Sequence, residues 1–216
     1  MSTPETAGPA TAPETTRLHC LHVLRIVGLA APAAVAGWTG LDADAVEAEL
    51  AAAAENGLCV QRGGRISGYV LAPAGRAWLE GELAAELDRY GARAAVELAD
   101  ERFVELNGPF KQLCTDWQVR DGSPNDHSDA GHDERVLAQL ADVHTAAVRL
   151  TEDAARSLPR YGWYAPRLTQ AWQRIQDGDA RAFTAPMSDS YHDVWMALHQ
   201  DLMSTLGRHR SATDGH

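Results

Sequence analysis

Residues 18–87 constrain the fold of this chain more than any other stretch, because three helical patterns and two short apolar runs follow one another there with almost no linker. LHCLHVLRIVG sets Leu21, Leu24 and Val27 at helical spacing and predicts a first helix. PAAVAGWTG follows, opened by Pro32 in a position that helix starts tolerate, with Gly37 and Gly40 marking a tight connection. Asp42 is a good N-cap for a third helix over residues 43–56, and Gly57 ends it. LCVQ and ISGYVL read as strands paired across Arg62-Gly63-Gly64-Arg65, whose glycines permit the positive φ of a tight turn. Pro73 opens a last helix running on towards Leu98, with Leu79, Leu83, Leu87 and Tyr90 on one stripe, Trp78 beside it, and Gly81 and Gly91 as weak points. That order is the order of a winged helix-turn-helix.

Charge qualifies what such a module does. Duplex DNA carries one negative charge per ~1.7 Å, and its readers bring Arg or Lys to it. The third helix carries Asp42, Asp44, Glu47, Glu49 and Glu55 and no cation. Basic groups come instead from the wing, Arg62 and Arg65, and from Arg17, Arg25 and Arg76. Two readings stand. In one, Arg62, Arg65 and Arg25 hold DNA while the helix that starts at Asp42 and Asp44 reads or abuts the major groove. In the other, the winged helix is a scaffold or a protein-contact module. The net charge of −11 excludes a protein that coats nucleic acid or clings to anionic membranes. No apolar run approaches the ~20 residues of a membrane span, and no signal peptide is visible. With Cys20, Cys59 and Cys114 lacking CxxC spacing, the expectation is a cytoplasmic protein with reduced thiols.

Residues 18–87 resemble the winged-helix domain of MarR-type bacterial regulators. The resemblance is carried by GWTGLDADAVEAELAAAAENGLCVQRGGRISGYVLAPAGRAWL. The family's glycine-leucine, strand, basic wing, strand and threonine-proline-glycine-arginine run is matched by Gly57, Leu58, Arg62, Arg65, Pro73, Gly75 and Arg76, with Ala72 in the threonine's place. The resemblance implies a transcriptional regulator that binds DNA, here expected as a homodimer.

The whole chain is expected to be mainly α. Residues 1–15, rich in Pro, Thr and Ala, are expected as a disordered tail, 16–99 as the winged domain with a long linker helix, 100–208 as an all-α domain and 209–216 as a second tail. In the all-α part, Phe103, Leu106, Phe110, Leu113 and Trp117 share one face, with a kink at Gly108-Pro109. A polar loop, DGSPNDHSDAGHD, leads to an amphipathic helix through Val136, Leu140, Val143, Ala147 and Leu150. Thr151 is expected to cap a shorter helix reaching Leu158-Pro159. An aromatic turn and a helix to Asp177-Gly178 follow, then a terminal helix capped by Ser188 or Ser190 and stopped at Gly207.

Chemistry-bearing residues concentrate in this helical part. His192, Trp195 and His199 stand at i, i+3 and i+7 and point one way; His144 lies on the buried side of its helix. Asn107, Lys111, Cys114 and Gln118 recur beside the phenylalanine stripe. If these helices pack together, Asn107, Lys111, Cys114, Trp117, Gln118, His144, Tyr191, His192, Trp195 and His199 line an aromatic-walled pocket for a small organic ligand. Were the chain an enzyme, His144, His192, His199, Asp116 and Cys114 would be its catalytic groups, with imidazole as general acid or base. His144, His192 and His199 with Asp116 or Asp133 form an available metal set, but i, i+7 spacing parts two of the rings by ~10 Å along the axis, so neither metal nor cofactor is expected. There is no GxSxG, Walker loop, strand-linked GxGxxG or kinase signature. His127, His132, His209 and His216 are expected to be solvated, and Arg160 and Arg167, near Tyr161, Trp163 and Tyr164, to suit a carboxylate ligand.

LNGPFKQLCTDWQ and SDSYHDVWMALHQDLMSTLG are similar to a helical segment of actinobacterial regulators and of the C-terminal ends of some phosphoenolpyruvate-utilising proteins. The matching residues are Asn107, Cys114, Asp116, Trp117, Gln118, Tyr191, His192, Trp195, His199, Asp201 and Leu206, while Gln200 departs from an acidic residue. That similarity implies no activity. Three readings follow: a ligand-sensing regulator, an enzyme or biosynthetic accessory on a winged-helix scaffold, and a protein-interaction adaptor.

Overall fold

A computed structural model describes residues 13–64 and 66–208. The expected tails, apart from residues 13–15, and the wing's Arg65 lie outside the described residues. The described chain is mainly helical with a small antiparallel sheet, and its contacts divide it into two units, residues 1–82 and 83–216.

The first unit begins with α1 (Pro13–Val27), β1 (Leu29–Ala30), α2 (Pro32–Thr39) and α3 (Ala43–Glu55). It continues with β2 (Cys59–Arg62), β3 (Gly68–Leu71) and the start of α4 (Pro73–Tyr90). Each boundary has a local cause. Pro32 sits in the first turn of α2, and Gly40 closes that helix at φ 70°. The Asp42 side chain accepts from the Ala45 N–H at 3.0 Å and caps α3. The three strands lie in the order β1-β3-β2, all antiparallel, with Val70 opposite both Leu29 and Val60. Leu21, Leu24, Val35, Val46 and Leu50 are fully buried, each side chain worth ~1.5–3 kcal/mol of apolar transfer. Where α4 begins, the Leu58 carbonyl accepts from the Ala72 N–H at 3.0 Å and lies so close to Gly75 that a Cβ there would come within 1.9 Å of the oxygen.

The single helix expected from Pro73 to Leu98 is two. α4 stops at Tyr90, Gly91 takes φ 59°, and α5 (Arg93–Gln118) starts eight residues before Glu101. Glycine in the left-handed region after a helix ends it outright, as a C-cap does. Leu79, Leu83 and Leu87 are buried as their stripe predicts, but Tyr90, at the helix end, is half exposed.

In the second unit α5 continues past Pro109, which lies inside the helix and does not end it. A two-residue ladder, β4 (Val119–Arg120) with β5 (Ser123–Pro124), occupies part of the expected polar loop. α6 (Ala130–Ser157) is one uninterrupted helix. Thr151 therefore caps nothing; it is buried inside α6 and its hydroxyl donates to the Val148 carbonyl at 2.9 Å, while Leu150 and Ala154 carry the apolar stripe through. A 3-10 turn (Pro159–Trp163) leads into α7 (Tyr164–Gln176), α8 (Arg181–Thr184) and α9 (Tyr191–Thr205). Ser190, not Ser188, caps α9, in a capping box with Asp193. The core is aromatic and aliphatic: Phe103, Phe110, Tyr161, Tyr164, Leu168, Phe183, Trp195 and Leu198 are all essentially inaccessible. No helix among the described residues is long and apolar enough to cross a membrane.

Candidate functional site

α5 and α9 run antiparallel, and their polar residues meet along the contact. Phe103 stacks on His199 with centroids 5.0 Å apart; seven residues on, Phe110 stacks on Trp195 at 4.2 Å and on His192 at 6.2 Å. Between these rungs the Trp195 indole N–H donates to Asn107 Oδ1 at 2.9 Å. Helical spacing makes this possible, since 103, 107 and 110 on one helix face 199, 195 and 192 on the other. Trp195 is buried, whereas Asn107, His192 and His199 are half-buried and Lys111, one turn beyond Asn107, is exposed. Asn107, His192, Trp195 and His199 are thus brought together as the sequence suggests.

His144 joins them through Tyr191. The Tyr191 ring packs on Phe110 at 5.7 Å, and its hydroxyl lies 3.4 Å from His144 Nδ1. Burial pushes the Tyr191 phenol well above its ordinary range, so it stays protonated, and the His144 tautomer sets which of the two groups donates. The other face of this arrangement is Trp172 of α7, stacked on His144 at 5.4 Å, a partner the sequence pattern did not single out. Burial holds both His144 and His192 below the usual imidazole value, with Asp193 opposing the effect at His192. Both are neutral rings at neutral pH.

The remaining expected residues, Cys114, Asp116, Trp117 and Gln118, follow Lys111 further along α5. Trp117 packs at the end of α5 on Phe183 at 5.3 Å and on His127 at 4.5 Å, and Gln118 is exposed. Asp116 accepts from the Gln112 amide at 2.7 Å, and its backbone carbonyl lies 2.8 Å from His132 Nε2. Burial pushes the Cys114 thiol up to about 12, which keeps it protonated and unreactive at neutral pH. Among the described residues no three His, Cys, Asp or Glu side chains form a group that could hold a metal ion. His127 and His132 are not merely solvated: His127 Nδ1 lies 2.9 Å from Asp133 Oδ2, and Asn125 bridges to the other Asp133 oxygen at 3.1 Å. His209 and His216 lie outside the described residues.

Arg160, expected to suit a carboxylate ligand, is instead held inside the fold. It is buried, and the carboxylates it pairs with belong to the chain itself: Nε donates to Glu86 at 2.7 Å, Nη1 to Asp201, and Nη2 to the Thr205 hydroxyl. Tyr164 donates to the second Asp201 oxygen at 2.7 Å, and Arg160 also lies over the Tyr161 ring at 5.1 Å. Burial disfavours the guanidinium charge, but Asp201 and Glu86 outweigh it and hold Arg160 ionised. Arg167 donates to the Trp163 carbonyl at 2.6 Å.

In the first unit, Arg62 is exposed at the end of β2 and Arg76 is exposed on α4. Arg25 is half-buried, and Arg17 is engaged by Glu49 of α3. Asp42 uses one oxygen as the cap of α3. The outward face of α3 presents Asp44, Glu47 and Glu55 among alanines. Comparison of the chain with family models, curated proteins and solved structures returned no match.

Proposed function

We propose that this chain is a winged-helix regulator of the MarR-like type that contacts DNA through its hairpin and senses a small organic ligand in its helical unit. The observation that carries the reading is the α1-β1-α2-α3-β2-β3-α4 order closed by the β1-β3-β2 sheet, with Arg62 exposed at the hairpin. The half-buried polar groups between α5 and α9 support the sensing part. Ligand bound more tightly by one arrangement of these helices than another would shift the population of DNA-competent dimers by that difference in affinity.

The acidic outward face of α3 sets the expected behaviour. Affinity comes from the wing, so a dimer using Arg62 and Arg65 of each copy neutralises about four phosphates and log K falls with log salt at a slope of roughly −4. Fluorescence anisotropy on a labelled pool of genomic fragments across a salt series measures that slope. Arg62→Ala with Arg65→Ala should abolish binding at about 150 mM salt, where the Debye length is ~8 Å. Absence of any salt-dependent binding by the unaltered protein overturns the DNA reading. The same acidic face favours one second reading, a winged helix that contacts a protein, and that outcome is the one it forecasts.

A further inference from the structure

We propose that the polar strip between α5 and α9 binds the carboxylate of a small aliphatic acid, with the Asn107 amide and the His192 imidazole as its hydrogen-bond donors. The proposal rests on the helical unit being a ligand sensor, and it names the class of ligand.

An indole N–H can only donate, so Asn107 must turn its oxygen to Trp195, and its two N–H donors face away from that contact. Among the described residues nothing accepts from Asn107 Nδ2, so the pair is left to solvent or to a ligand. Trp195 is buried and fixed by Phe103 at 4.8 Å and Phe110 at 4.2 Å, which holds the amide in one orientation. An acceptor approaching the strip therefore meets a pre-set donor pair, whose ordering cost is already met by the fold.

The neighbours repeat the same polarity. His192 lies three residues before Trp195 on the same face of α9, half-buried and able to offer one ring N–H. Lys111 follows Asn107 by one turn and carries the sole lysine charge of a chain whose net charge is −11. Phe103 and Phe110 are engaged with His199, Trp195 and His192. The strip consequently selects by hydrogen bonding and charge, not by stacking a planar ring. A carboxylate offers two acceptor oxygens and a negative charge, and charge-assisted bonds are about twice as strong as neutral ones. Inorganic phosphate shares the oxyanion chemistry, so the two sources have to be told apart.

The test uses the full chain labelled with nitrogen-15 at fixed ionic strength and pH 7.5. Sodium propionate, propionamide and inorganic phosphate are titrated in turn while the Asn107 side-chain amide and the Trp195 indole resonances are followed. Propionate should shift the Asn107 amide saturably, with propionamide at least tenfold weaker and phosphate weaker than propionate. Asn107→Asp keeps an oxygen for the indole and replaces the donors with a like charge; it should raise the apparent Kd at least tenfold while the indole resonance stays in place. If that resonance is lost, Lys111→Gln on the exposed turn decides, with an expected weakening of several-fold. Equal shifts from propionate and propionamide, shifts that stay linear, tighter phosphate binding, or a Kd left unmoved by Asn107→Asp would each overturn the proposal. DNA anisotropy on the same sample separates the two readings: intact DNA binding without propionate binding removes only the carboxylate, and the converse removes only the regulator.

Discussion

Gly75 shows how much a single missing methyl can decide. The start of α4 passes the Leu58 carbonyl so closely that alanine would set its Cβ 1.9 Å from that oxygen, against backbone that has no rotamer with which to yield. Gly75→Ala should therefore lower unfolding stability by about 3 kcal/mol, the upper part of the range for overpacking, read from the midpoint of a urea curve. Gly81→Ala is its counterpart. That glycine sits exposed inside α4 with nothing within 4 Å of an added Cβ, so alanine should stabilise by ~0.5–1 kcal/mol through helix propensity alone. The sequence marks both as glycines, and the Pro73-Ala74-Gly75-Arg76 run even suggests a helix start, but nothing local says that one faces a carbonyl and the other open space. Legibility at this scale reaches caps and turns, as at Asp42, Gly40 and Ser190, because a cap and its helix are three or four residues apart.

At the scale of elements, the Arg160 network is the main thing the sequence hides. Its partners are 74 and 41 residues away along the chain, on α4 and α9, and no i, i+4 pattern reports a contact of that kind. A guanidinium near aromatic residues invites a ligand when its own carboxylates are out of view. Replacing it leaves Glu86 and Asp201 buried without a cation, and breaking a buried pair from one side costs about 3–5 kcal/mol. Arg160→Met, similar in length and apolar, should show that loss in guanidinium unfolding monitored by circular dichroism. Unchanged stability would mean that the carboxylates find protons or solvent instead. Apolar stripes were legible for α5, α6 and α9 because each helix buries one face over many turns. Their ends were not always so: α6 runs through Thr151, whose hydroxyl is satisfied by its own helix, and α4 stops at Gly91 in spite of apolar positions beyond it.

For the molecule as a whole, the two imidazoles depressed by burial set the response to mild acid. Unfolding returns His144 and His192 to the usual value near 6.5, so the unfolded chain takes up protons before the native one does. The stabilisation is complete above that value and is lost as pH falls through the lower native pKa. The urea midpoint should accordingly drop as pH falls below about 6.5, and His144→Gln with His192→Gln should flatten that drop. Asp126, Asp129 and Asp179 act in a separate window. Hydrogen bonds, the Ser128 side chain at Asp126, the His132 backbone N–H at Asp129 and the Arg174 side chain at Asp179, hold their carboxyls below the usual 3.8, so what they add is present above that value and vanishes only in stronger acid.

The order of synthesis gives the antiparallel pairing of α5 with α9 a further meaning. α9 brings Trp195 to Asn107 and brings Asp201 and Thr205 to Arg160, yet it leaves the ribosome after every other helix described here. Until it emerges, the guanidinium has one of its two carboxylates and the amide has no indole. A nascent chain halted before Tyr191 would thus hold an unfinished polar interior, with Glu86 as the carboxylate left to pair with Arg160.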